Sequence, residues 1–153
     1  MHVLIATDGS QQSLDAAQYL TTLADRSAID EIAVLAVVSP LAAIPFTHEG
    51  AGQAPGVEEV SYRRAAQRAT EKMADQLREW APTVTTHVYG GSPSTEIVRA
   101  AAEMGTELIV VASSSSRAEA ALLGSVAHRV MSSAPCPVLV VRPRPKPKRR
   151  RKA

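Results

Sequence analysis

Aromatic residues make up only 3% of this 153-residue chain: three Tyr, one Trp and one Phe. So few rings exclude a surface that works by stacking nucleic-acid bases. They also leave the core to be built from Val, Leu, Ile and Ala. Cysteine occurs once, at Cys136, which excludes an intramolecular disulfide framework and a cysteine-only metal site. The four histidines, His2, His48, His87 and His128, show no metal-ligand spacing. No apolar run reaches the ~20 residues that a membrane helix needs. The greasiest stretch, Ile32 to Phe46, is interrupted by Pro40 and Pro45. The apolar start meets Asp8 at once with no basic segment before it, unlike a secretory signal. The expectation is a cytoplasmic protein with no membrane partner.

What is present fits one globular domain. Apolar residues reach 45%, enough for a real core, and the length leaves little room for a second domain. The net charge of +2 conceals an asymmetry. Residues Arg142 to Ala153 carry eight basic side chains and no acidic one, so residues 1–141 hold 9 basic against 15 acidic, a net of −6. An acidic body over 1–142 followed by a basic, disordered tail over 143–153 is the expected organisation.

The hydrophobic pattern alternates between two kinds of segment. Val3-Leu-Ile-Ala6, Ile32 to Val38, Leu108-Ile-Val-Val111 and Val138-Leu-Val-Val141 are continuous apolar runs, as strands buried on both faces require. Thr83 to Tyr89 adds a shorter strand. Between them, residues 11–25, 57–80, 93–104 and 118–132 carry apolar residues at three- and four-residue spacings and read as helices. In the second of these, Val60, Ala65, Ala69, Met73, Leu77 and Trp80 are the expected inner positions. Ser92 and Pro93 suit a helix start and Gly105 a helix end. Residues 39–56, with three Pro and three Gly, read as a long loop or flap. Strands alternating with helices predict an α/β fold with a mostly parallel, doubly wound sheet.

Such sheets bind ligands beyond the carboxyl ends of their strands, where the winding reverses. Two segments qualify: Ala6-Thr7-Asp8-Gly9-Ser10 after the first strand, and Ala112-Ser113-Ser114-Ser115-Ser116 after the fourth. Both lead from a strand into a helix, whose first amides are unpaired and carry partial positive charge. With its serine hydroxyls the second segment can hold a phosphate, and Asp8 in the first can accept hydrogen bonds from a ribose or a base. The plainer alternative is that Asp8-Gly9-Ser10 is a turn and cap and the serines a solvated connector.

Further motifs make the chain resemble the universal stress protein family from His2 to Arg142. They are His2-Val-Leu-Ile-Ala-Thr-Asp-Gly-Ser10, Gly91-Ser92-Pro93 with Ile97, and Glu107-Leu-Ile-Val-Val111. Leu122-Leu-Gly-Ser-Val-Ala127 and Ala134-Pro-Cys-Pro-Val-Leu-Val-Val-Arg142 complete the set. The resemblance implies a three-layer, five-stranded parallel sheet of order 3-2-1-4-5, adenine nucleotide alpha-hydrolase-like. It also implies homodimers, often joined through the last strand. The family's ATP binders carry Gly-x2-Gly-x9-Gly-Ser/Thr after the fourth strand. By resemblance, Ala6, Thr7, Asp8 and Val37 hold adenosine. Ala112, Ser113, Ser115, Gly124, Ser125 and Val126 take the phosphate positions, for ATP or a related adenine nucleotide, with Mg where phosphates bring it.

This chain departs from that pattern. Ala112 and Ser115 replace the first two glycines, and eight residues instead of nine separate Ser115 from Gly124. A non-glycine residue forced into left-handed backbone costs roughly 1–2 kcal/mol, and each ~1.4 kcal/mol is tenfold in affinity. Ser116 and Glu119 match a capping box, which would start the last helix early and leave Gly124 inside it. Ser92 lacks the closing glycine of a nucleophile elbow, and no phosphate-binding P-loop motif occurs. Cys136 reads as a small hydrophobe and His128 as a polar helix position. The expected function is a stress-type regulatory module that binds an adenine nucleotide and an unknown protein partner and is not an enzyme. The alternatives are a slow ATP hydrolase, a nucleotide-free interaction dimer, and weak, salt-sensitive nucleic-acid contact through the tail.

Overall fold

The computed structural model describes residues 1–40, 55–114 and 123–143. Five strands, β1 (His2–Thr7), β2 (Glu31–Val38), β3 (Val84–Gly90), β4 (Leu108–Ala112) and β5 (Val138–Val141), form one sheet. The order is β3-β2-β1-β4-β5 and every neighbouring pair is parallel. This is the order and the doubly wound architecture that the resemblance implies. Four helices accompany it: α1 (Gln11–Leu23), α2 (Pro55–Arg78), α3 (Pro93–Glu103) and α4 (Ser125–Ser133).

Strand alternation divides the aliphatic residues into two layers. Val3, Ile5, Ile32, Val34 and Val110 pack with α1 and α2 on one face. Leu4, Ala33, Leu35, Ile109 and Val111 pack with α3 and α4 on the other. Both faces of the central strands are therefore apolar, which is why their sequences run without polar interruption. Among the described residues Trp80 is the only large ring packed against the first layer, and it is half-buried. The core is aliphatic, as the composition requires.

Helix starts and stops follow local chemistry. The Ser10 hydroxyl accepts the Ser13 N–H at 3.2 Å and caps α1. Gly105 adopts φ +63° just past α3, where only glycine is unstrained. Ser92 occupies the N-cap position of α3 ahead of Pro93, but its hydroxyl makes no capping bond. Its carbonyl instead accepts the Glu96 N–H at 2.9 Å.

Three expectations are corrected. Helix α2 begins at Pro55, inside the segment read as a loop; residues 41–54 of that loop lie outside the described residues. The last helix begins at Ser125, and Gly124 sits before it with extended backbone (φ −61°, ψ 153°) and not within it. The capping pair Ser116 and Glu119, like tail residues 144–153, lies outside the described residues. In α2, Met73 and Leu77 are buried, whereas Val60 and Ala65 are exposed. The periodicity of α2 continues beyond the point where the sheet can cover it.

The two halves of α2 should respond differently to truncation. Met73→Ala should lower stability by about 2–5 kcal/mol in urea unfolding, as buried large-to-small changes do. Val60→Ala, at a side chain 51% exposed, should stay within about 0.5 kcal/mol.

Candidate functional site

β1 lies between β2 and β4, so the winding reverses between β1 and β4. The carboxyl ends of these two strands are side by side, since Val3, Leu4 and Ile5 align with Leu108, Ile109 and Val110. A cavity of about 250 Å³ opens there, as the topology demands. Ala6, Thr7 and Asp8 line it from the end of β1 and the residue after it, Val37 from β2, and Ala112 and Ser113 from the end of β4 and the residue after it. Gly124, Ser125 and Val126 line it from the start of α4. Two segments more than a hundred residues apart in sequence thus share one rim. Ser115 lies outside the described residues.

A hydroxyl relay shapes the β1 end. Ser13 Oγ donates to the Ser10 carbonyl at 2.8 Å, so the 2.8 Å contact between Thr7 Oγ1 and Ser13 Oγ has Thr7 as its donor. Thr7 Oγ1 also accepts the Gly9 N–H at 3.1 Å. The buried Thr7 hydroxyl is therefore committed to the turn and positions it. Gly9 takes φ +80°, a left-handed conformation that favours glycine. Asp8 is exposed, and its Oδ1 accepts the Ser10 N–H at 3.0 Å, closing an Asx turn. The turn-and-cap reading of Asp8-Gly9-Ser10 holds, and the same turn leaves the carboxylate at the cavity.

The β4 end is tied down on both sides. Ala112 is the last strand residue and pairs with Val141. Its backbone is extended, so the left-handed strain considered for a glycine replacement does not arise at this position. The Ser113 N–H donates to the Val141 carbonyl at 2.9 Å, and the Ser113 carbonyl accepts the Gly124 N–H at 2.6 Å. A Cβ at Gly124 would stand 2.8 Å from that carbonyl oxygen, closer than real contacts allow. Glycine is needed here for close approach, not for φ. The Ser113 hydroxyl is fully buried and has no hydrogen-bond partner among the described residues.

The sequence left several walls of the cavity unassigned. Leu35 extends the β2 wall, and Pro93 and Ile97 come from α3. The α3 residues follow a strand two places away from β1, so only the crossover of the sheet brings them in. Ser13 also lines the cavity, and its spacing of three from the cap Ser10 was the available signal. Among the described lining residues Asp8 is the only charged side chain. Among the described residues no three His, Cys, Asp or Glu side chains gather as a metal would require. No described helix is long and apolar enough to cross a membrane. Cys136 packs half-buried against the α3/α4 layer, and burial pushes its thiol pKa up. A raised pKa means less thiolate, in keeping with a structural role. His128 is exposed on α4.

The fold and cavity can be set beside known proteins. The family model for the Universal stress protein family matches residues 1–142. The chain belongs to the universal stress protein family. Universal stress protein MJ0531 of Methanocaldococcus jannaschii is 36% identical over 142 residues, spanning 92% of this chain and 81% of that protein. Among solved structures, a universal stress protein family protein from Arabidopsis thaliana with AMP bound superposes with a TM-score of 0.67. It is 17% identical and covers 92% of this chain and 90% of its own. A universal stress protein in complex with cAMP gives a TM-score of 0.59 at 23% identity, over 93% of this chain and 96% of its own. At these identities the structural likeness is one of fold. In this family member the β4–α4 contact can be tested directly. Gly124→Ala should cost about 1–3 kcal/mol through overpacking against the Ser113 carbonyl. Thermal unfolding should show the loss, and the residue-124 amide should exchange faster with solvent.

Proposed function

We propose that this universal stress protein is a cytoplasmic regulatory module that binds an adenine nucleotide at the β1/β4 cavity and works by binding rather than turnover. The observation that carries this reading is the convergence of three groups on one hollow: the Asp8 carboxylate, the buried unpaired Ser113 hydroxyl and the amino end of α4. Val37 and Ile97 offer an apolar bed for a base. Asp8 is an acceptor suited to ribose hydroxyls. Ser125 and Val126 stand in the first turn of α4, where N–H groups lack helical partners and favour an anion. The AMP and cAMP complexes of the two neighbours described above support an adenylate as the ligand class. Any Mg would accompany the phosphates, because Asp8 is the sole carboxylate among the described lining residues.

Calorimetry of the full chain with adenine nucleotides tests this reading, and no heat at millimolar concentration would retire it. Asp8→Ala should weaken binding by about tenfold or more, the worth of a hydrogen bond to a charged group. Phosphate release that survives repurification and vanishes in Asp8→Ala would replace the binding module with a slow ATP hydrolase.

A homodimer through β5 is the second part of the proposal. β5 is an edge strand, and all four of its residues, Val138 to Val141, are half-exposed. An apolar edge with free backbone groups invites pairing with another strand. Val140→Lys should shift the sedimenting species from two copies of the 16.2 kDa chain to one. An unchanged mass of two copies would place the interface elsewhere.

A further inference from the structure

A proline just past β5 carries an inference that rests on the adenine-nucleotide reading and deepens it. In a parallel pair, alternate residues of a strand turn both of their backbone groups to the same neighbour. The Ile109 and Ser113 N–H groups donate to the Pro137 and Val141 carbonyls, at 3.0 and 2.9 Å. The odd-numbered residues at this edge therefore face β4. The next bond of the ladder would run from the N–H of residue 143 to the Ser113 carbonyl. Residue 143 is proline, which has no N–H. The ladder stops at Pro143 for lack of a donor.

The Ser113 carbonyl takes the Gly124 N–H instead, at 2.6 Å. Two elements could supply its donor, the end of β5 or the start of α4, and the proline leaves only the second. Gly124 and Pro143 are complementary in this. Gly124 has no Cβ to hold it off that oxygen, and Pro143 brings no competing hydrogen. Gly124 is the N-cap of α4, so the choice of donor sets where the first turn of the helix stands. Gly124, Ser125 and Val126 line the nucleotide cavity from there, whereas Pro143 lies half-buried beside α1 and does not line it. Any effect of Pro143 on a ligand passes through the Ser113 carbonyl.

We propose that Pro143 is a positioning residue of the nucleotide cavity: it withholds the ladder N–H from the Ser113 carbonyl, leaves that oxygen to Gly124, and so sets the amino end of α4 against the anionic part of the ligand. A residue with an N–H at 143 adds one bond to the β4–β5 ladder and puts a second donor on the same oxygen. A carbonyl oxygen has two lone pairs, so the second donor lengthens the Gly124 contact without abolishing it. The helix start then moves away from the end of β4.

The test compares the full chain with Pro143→Ala and with lactic acid at position 143, whose ester linkage carries no N–H. By nitrogen-15 NMR, the residue-124 amide proton of Pro143→Ala should move upfield and exchange about threefold or more faster. With the ester it should stay as in wild type. In calorimetric titrations, Pro143→Ala should weaken AMP about three- to tenfold and leave adenosine unchanged, and the ester variant should hold both as wild type does. A residue-124 amide unmoved by Pro143→Ala would overturn the proposal. An ester variant that behaves like alanine would overturn it too, because the ring and not the missing N–H would be the cause. A displaced amide with AMP affinity intact would remove the positioning role at the cavity. No heat from wild type with either ligand would overturn the adenylate reading itself, while the amide signature would still decide whether Pro143 governs the Ser113–Gly124 contact.

Discussion

The site depends on one backbone contact. The Gly124 N–H reaches the Ser113 carbonyl at 2.6 Å and joins the end of β4 to the start of α4. Its length is possible only because residue 124 has no side chain, since a Cβ would meet the same oxygen at 2.8 Å. This contact sets where the amino end of α4 stands relative to the sheet. It also consumes an amide that an unoccupied helix terminus would otherwise offer to an anion. The same bond therefore shapes the cavity's rim and uses one amide there.

The rest of the fold holds that corner in place. Ser113 is anchored on its other side by Val141 of the edge strand β5, and Ala112 continues the ladder instead of turning away from it. The opposite rim is held by the chain of bonds from the Thr7 hydroxyl through the Ser13 hydroxyl to the Ser10 carbonyl, and by the Asx turn that Asp8 closes. Beneath both rims lies an aliphatic sheet with two packed faces. A chain so poor in rings obtains its stability from many small contacts between branched side chains.

Where sequence and structure diverge, the cause is long-range packing. The inner stripe of α2 includes Val60 and Ala65 by spacing, yet both are exposed, because periodicity reports what a helix offers and not how far the sheet extends beneath it. Ala112, a replacement for glycine, suggested strain by position in a motif, but its strand pairing gives it ordinary extended backbone. Gly124 was placed inside a helix by a local capping pattern at Ser116 and Glu119, and it stands outside one. Pro93 and Ile97 joined the cavity through a crossover that no short-range pattern encodes.

Strand runs, helix periods, the Asp8-Gly9-Ser10 turn and the intact Gly124-Ser125 pair were all legible from neighbouring residues, because propensity, alternation and capping act over a few positions. The family motifs carried the strand order and most of the cavity's lining. Three things required tertiary structure: the orphaned hydroxyl of Ser113, the spent amide of Gly124 and the committed hydroxyl of Thr7. Whether a polar group is satisfied depends on partners brought from other elements, and a linear chain does not state which of them arrive within 3 Å.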